Sequence, residues 1–218
     1  MFTGRAPAPW GVRSQPLTAM KNRTCALFLF DGYADWEPAL AVAGLNQYSD
    51  FAIETFSVSG GPVTSMGGLT VQPQKALSAV RADALHLLLI PGGDAWEQDP
   101  EANREIVPLV EALVAGQQPV AAICGATLLL ARMGLLDNTP HTSNGPGYLE
   151  GHCPAYRGSL FFRQQPCVTA GGLITANGAA MIEFAVAIYG HFGVLDGETL
   201  AGVLELYKSG GMVNKLPA

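Results

Sequence analysis

The strongest constraint in this 218-residue chain is the run Pro119-Val120-Ala121-Ala122-Ile123-Cys124-Gly125-Ala126-Thr127-Leu128-Leu129-Leu130. An apolar stretch without charge reads as a strand covered on both faces, the habit of parallel sheets. It stops at one cysteine and turns helical at once. Gly125-Ala126 supply the small residues that so sharp a turn needs. A free cysteine is most often a small core residue. One set between the last strand residue and the first helical residue instead lies at the carboxyl edge of the sheet, where open α/β sheets bind ligands. There the first N–H groups of the helix are expected to favour thiolate, drawing the Cys124 pKa below the usual ~8.5. Cys124 is therefore a candidate nucleophile.

The rest of the chain alternates in the same way. Thr24 to Phe30 reads as a buried strand ending in Asp31-Gly32. A helix follows from Asp35-Trp36-Glu37-Pro38 to Gln47, with Asp35 as N-cap and Pro38 in the first turn. Phe51 to Ser57 is a second strand, and Val63 to Gln72, broken at Gly67-Gly68, is a hairpin. Ala84 to Ile90 is another buried strand, and its end, Pro91-Gly92-Gly93-Asp94, brings a glycine loop to the same edge as Cys124. Glu101 to Ala115 reads as a helix, and the helix after Cys124 ends at Gly134. His141 to Asn144 is a short strand, residues 145–167 are irregular, and Val168 to Asn177 holds two β pieces around Gly171-Gly172. Helices cover Gly178 to His191 and Leu195 to Lys208. The pattern predicts an α/β fold, a doubly wound, mostly parallel sheet sandwiched by helices. Residues 1–19 hold three prolines, two glycines and no apolar run. They read as a flexible N-terminal extension, with Met20 a candidate start for a single domain over 20–218.

Composition removes several function classes. Twelve Lys and Arg against 18 Asp and Glu, a net charge of −6, leave no basic face for phosphate backbones, so no nucleic-acid partner is expected. No apolar run reaches the ~18 residues of a membrane span. The four cysteines, Cys25, Cys124, Cys153 and Cys167, show no C-x-x-C spacing, so no metal site, dithiol motif or cofactor is indicated. A small-molecule substrate and a reducing cytoplasm fit best.

The order Phe30-Asp31-Gly32, Glu37, Pro91-Gly92-Gly93 and Ile123-Cys124-Gly125-Ala126-Thr127 resembles the ThiJ/PfpI family of the class I glutamine amidotransferase-like superfamily, with its flavodoxin-like fold and nucleophile elbow. Gly134-Leu135-Leu136-Asp137, His141-Thr142-Ser143-Asn144 and Ile174-Thr175-Ala176-Asn177-Gly178 extend the likeness, which runs from about residue 24 to residue 192. The family includes intracellular proteases, deglycase or glyoxalase-type enzymes, isonitrile hydratases and redox-responsive proteins, so it fixes fold more firmly than reaction. The resemblance implies that Cys124 is the nucleophile, that Glu37 is the acid hydrogen-bonded to its sulfur, and that the N–H groups of Gly93 and Gly125 receive an oxyanion. It also implies a homodimer. A carboxyl buried beside the sulfur should have a raised pKa. Asp94 and Asn144 are candidate substrate contacts, and Trp36, Trp96 and Tyr148 candidate cleft walls. Glu97 is expected to leave the thiol unaffected.

The departures from the family pattern bear on mechanism. Gly125 stands where the protease branch has a histidine after the cysteine, and Asn144 stands where other branches end Thr-Thr-His. His141 lies three residues earlier, an odd separation that points to the other face of a strand, so it serves as base only if that strand is bulged or ends early. His86 reads as a core histidine, His191 as a helix-closing one, and His152 as a possible lining residue. The late His-x-Glu pair of glutamine amidotransferases is absent, so that activity is not expected. Two readings remain: a cysteine-dependent hydrolase or lyase, protease-like or deglycase-like, acting on a small carbonyl, amide or related electrophile, or a redox-sensing, stress-response protein working through oxidation of Cys124.

Overall fold

The computed structural model describes residues 21–210. The proposed extension over 1–19 and the candidate start at Met20 lie outside the described residues. Strand β1 (Arg23–Phe28) leads to helix α1 (Trp36–Tyr48) and β2 (Phe51–Ser57). The expected hairpin is β3 (Val63–Thr64) against β4 (Thr70–Val71), and β5 (Lys75–Ala76) follows. Next come β6 (Leu87–Ile90), the short α2 (Ala95–Gln98), α3 (Val107–Ala115), β7 (Val120–Ile123), α4 (Thr127–Arg132) and α5 (Tyr148–His152). The antiparallel pair β8 (Cys167–Ala170) and β9 (Leu173–Ala176), then α6 (Met181–His191) and α7 (Gly197–Lys208), complete the order.

Seven strands form one sheet in the order β5-β2-β1-β6-β7-β9-β8, parallel except for β8 at its edge. The four residues of β6 and the four of β7 are all fully buried, so both faces of the sheet centre are covered, as their unbroken apolar runs require. Helices α1 and α6 pack on one another with α7 behind α6, while α3 and α4 lie against β7. The chain winds one way from β1 to β2 and the other way from β6 to β7. The crevice at the carboxyl ends of β1 and β6 is thus the switch point of the topology, where such sheets bind ligands.

Four local expectations are corrected. Residues 141–144 form no strand: His141 makes a single parallel bridge to Phe162, and the Thr142 N–H goes instead to the Thr175 hydroxyl at 2.9 Å, so the ladder cannot continue. The helix expected from Glu101 begins at Val107 after a 3-10 turn, Arg104–Ile106, because Asn103 is left-handed (φ +57°). Asp35 precedes α1 in helical geometry and makes no capping bond. His86 is exposed rather than in the core, and its Nδ1 accepts the Thr24 N–H at 3.2 Å.

Candidate active site

Four strand ends meet at the switch point, each delivering one part of the site. After β7, Cys124 turns the chain with φ +58° and opens a 3-10 turn, Cys124–Ala126, that runs into α4. A non-glycine residue is rarely held there, and the strain persists only where the surroundings enforce it. Here Thr127 Oγ1 donates to the Cys124 carbonyl at 2.7 Å, and the Ser143 hydroxyl, 2.6 Å away, donates to Thr127 in turn. That chain of hydroxyls fixes the turn to the segment carrying Asn144.

After β1, Glu37 enters as the second residue of α1, only 1 % exposed. Its Oε2 accepts the Gly92 N–H at 2.6 Å, and the carboxyl is hydrogen-bonded to Cys124. Burial pushes the carboxyl up to about 7, against the pull of the Gly92 and Cys124 hydrogen bonds. The expectation of a raised acid beside the sulfur holds. The expectation of a depressed thiol does not: burial, then the negative charge of Glu37, push Cys124 up to about 11, and hydrogen bonds from Asn144 and the Gly125 N–H only partly offset them. The two groups touch, so their protons leave in steps that belong to the pair.

Asn144 reaches the sulfur from the other side, its Nδ2 donating to Sγ across 3.4 Å. Its Oδ1 accepts the Gly178 N–H at 3.0 Å, which fixes the amide so that its N–H groups must face the cysteine. The same side chain is hydrogen-bonded to the Tyr148 phenol, which also donates to Glu97 Oε1 at 2.6 Å. Tyr148 is thus a wall of the site, and burial, followed by Glu97, raises its phenol far above the ordinary value. Glu97, expected to be inert toward the thiol, is two hydrogen bonds from Asn144.

Two glycines close the site more tightly than sequence reasoning recognised. A Cβ on Gly92 would lie 2.6 Å from Cys124 Cβ and 2.8 Å from Glu37 Oε2. One on Gly178 would lie 2.7 Å from Cys124 Sγ and 3.3 Å from Glu37 Oε1. Both follow a strand that ends at this edge, and that position was the available signal. Gly93 (φ +151°) and Gly125 are neighbours: a Cβ on Gly125 would sit 3.2 Å from the Gly93 carbonyl oxygen.

His141 does not join this group. It is fully buried, with Nδ1 2.7 Å from the Thr139 carbonyl and Nε2 2.7 Å from the Tyr156 hydroxyl. A carbonyl only accepts, so Nδ1 carries the proton; burial lowers the ring's pKa, which leaves Nε2 to accept from Tyr156. Both nitrogens are engaged away from the sulfur, and the hydrogen-bonding group at the family's base position is Asn144. Asp94 is exposed at the head of α2 and makes no capping bond there. Trp96 is core, packed edge-on to Phe30, and Trp36 is 45 % exposed. A cavity of about 400 Å³ opens beside the Asn144–Gly178 contact, lined in part by Ser143, Gly145, Pro146 and Asn177. Among the described residues, no group of three or more His, Cys, Asp or Glu is arranged to hold a metal ion, and no helix is long and apolar enough to cross a membrane.

A doubly wound sheet with a strained cysteine after a fully buried inner strand and a buried acid from its first helix defines a class of cysteine-bearing α/β proteins. Within that class the chain belongs to the DJ-1/PfpI family, whose model matches residues 23–190. It is 34 % identical over 198 residues to the uncharacterised protease YoaZ of Bacillus subtilis, spanning 87 % of this chain and 93 % of that one. The uncharacterised protease YdeA of the same organism is 38 % identical over 160 residues, covering 73 % and 78 %. A solved DJ-1 superfamily protein from Agrobacterium tumefaciens matches at a TM-score of 0.78 and 36 % identity, over 86 % of this chain and 98 % of its own. A thiJ/pfpI family protein from Bacillus anthracis matches at 0.79 and 32 %, over 88 % and 93 %.

Proposed function

We propose that the chain is a cysteine-dependent enzyme acting on a small electrophile, a carbonyl, an amide or a related group, with Cys124 as nucleophile and Glu37 as its proton carrier. The observation that carries this reading is the contact between the Cys124 thiol and a carboxyl that titrates at about 7. A carboxylate so tuned is matched to proton transfer at neutral pH. It supplies the base that Asn144 cannot. As carboxylate, Glu37 takes the thiol proton while sulfur bonds to the electrophilic carbon and the C=O electron pair moves onto oxygen. The N–H groups of Gly93 and Gly125 are the donors assigned to that oxyanion. When the C=O re-forms, the leaving group departs with the proton from Glu37. Water then attacks the thioester carbon as Glu37 takes its proton, the C–S bond breaks, and the sulfur leaves with that proton returned from Glu37, restoring the thiol and releasing the carboxylic acid.

Asn144 faces the substrate from the sulfur side and Asp94 from the exposed head of α2 in this reading. The relatives described as proteases bring peptide amides within the proposed substrates. By the family resemblance we take the working form to be a homodimer in a reducing cytoplasm, which sedimentation equilibrium of the purified chain tests for oligomeric state. The decisive assay follows an activated ester, whose alcohol is the leaving group. Wild-type turnover should rise with pH through about 7, and Cys124→Ser and Glu37→Gln should each lose ~10²-fold or more. Undiminished turnover in either variant would sink the proposal.

One observation favours a second reading: hydrogen-bond donors, from Asn144 and Gly125, converge on the sulfur with no histidine among them. A sulfinate formed at Cys124 by two equivalents of peroxide, each reduced to water, would place its oxygens on those same donors. Gain of two oxygen atoms on Cys124 by mass spectrometry, together with no turnover of any electrophile, would select it.

A further inference from the structure

At the opposite end of α4 from Cys124, a cavity of about 480 Å³ lies among the loop after α2, the start of α3 and the ends of α4 and α5. Val107, Leu129 and Met133 give it an apolar floor, and Arg132, the last residue of α4, gives it a cationic wall. The Arg132 guanidinium is anchored through Nη2, which donates to the Trp96 carbonyl at 2.7 Å. Its Nη1 is buried without an acceptor, alone in that condition among the buried side-chain nitrogens and oxygens of the described residues. A buried N–H with no partner opposes folding unless something supplies an acceptor. The neighbouring groups leave this one unmet. Glu101 is paired with Arg104, Glu111 is exposed, and the His152 Nδ1 lies 2.9 Å from the Tyr148 carbonyl.

We propose that this cavity is a binding site for a small organic carboxylate with a short apolar body. The permanently charged, planar guanidinium matches a carboxylate in geometry as well as charge. Arg132 lines the cavity with one guanidinium donor, Nη1, still without an acceptor, and the alkyl chain of the ligand lies over Val107, Leu129 and Met133. The site is separate from the chemistry assigned to Cys124 and stands whichever reading of that cysteine holds.

The test is a calorimetric titration of the full chain with hexanoate, hexanamide and hexylamine at low salt. Hexanoate should saturate one site, with the amide and the amine at least tenfold weaker. Arg132→Met should lower hexanoate affinity tenfold or more. Ala155→Trp, placed at an exposed lining position, should block the cavity without touching the guanidinium. Glu111→Gln, which removes a rim carboxylate, should leave binding equal or tighter, and Cys124→Ser should leave it unchanged. Arg132 also holds the Trp96 carbonyl, so Arg132→Lys is the second variant, testing the fork should Arg132→Met fail to fold, and it should also bind at least tenfold more weakly. The proposal is overturned if hexanoate does not bind, if the amide binds as well as the acid, or if either Ala155→Trp or Arg132→Lys binds hexanoate like wild type.

Discussion

Glu37 is held out of water by the same packing that brings it to Cys124, and this opposes folding. Its carboxyl titrates at 4.5 when unfolded and at about 7 in the native chain. A raised native pKa contributes stability that is full below pH 4.5 and is lost as pH climbs through 7. At ~1.4 kcal/mol per pKa unit, the loss by pH 8 is on the order of 3 kcal/mol. Urea denaturation should therefore show Glu37→Gln more stable than wild type at pH 8 and much closer to it at pH 4.5. Equal differences at both pH values would rule out burial of the charge as the cause. The thiol offers a second measurement. Thiolate absorbance, taken as the difference from Cys124→Ser, should appear near pH 11, and Glu37→Gln should shift it downward by removing the negative neighbour. The sequence made Cys124 and Glu37 legible because a turn cysteine and a helix-start acid are local patterns. It misjudged the thiol because a turn motif carries no record of burial depth. It gave no sign of the Tyr148–Glu97 hydrogen bond, because residues 145–167 carry no periodic pattern from which α5 could be read.

Among the elements, the crossing of α1 and α6 is governed by Gly44. A Cβ there would collide with the hydroxyl end of Tyr189, whose hydroxyl donates to the Leu40 carbonyl on the same helix as Gly44. Gly44→Ala should gain up to ~1 kcal/mol in helix propensity. It should lose more, ~1–3 kcal/mol, to overpacking, so its denaturation midpoint should fall below wild type. Strands β1, β2, β6 and β7 were legible as apolar runs, and the β3–β4 and β8–β9 hairpins as short strand pieces around paired glycines. What failed was the segment 141–144, whose residues look β-like. The competing partner of Thr142 is a side chain on β9, and no local pattern announces a partner so distant in sequence. The same failure removes the strand-face argument about His141, a candidate base: no alternation operates there, and the ring is held away from the sulfur by its own partners Thr139, Tyr156 and Phe162.

For the whole molecule, the reversal of winding between β1 and β6 sets both the location of the site and the distribution of stability. Amides of β6 and β7, flanked by strands and covered on both faces, should exchange hydrogen only by global unfolding, whereas residues 145–165 should open at lower free energy. Native-state hydrogen exchange checks this, and equal protection of both regions would contradict it. The alternation that predicts this topology was visible in the sequence; which strand ends would converge was not, since strand order depends on long-range pairing. One consequence concerns how such a site can change. Its inner walls at Gly92 and Gly178 are bare main chain pressed against the sulfur and the carboxyl. A glycine has no side chain to trim, so no substitution there can enlarge the space, and every one reduces it. A lineage that alters what reaches Cys124 must do so from the rim, at Tyr148, Asn144 and Glu97, while the floor stays as it is.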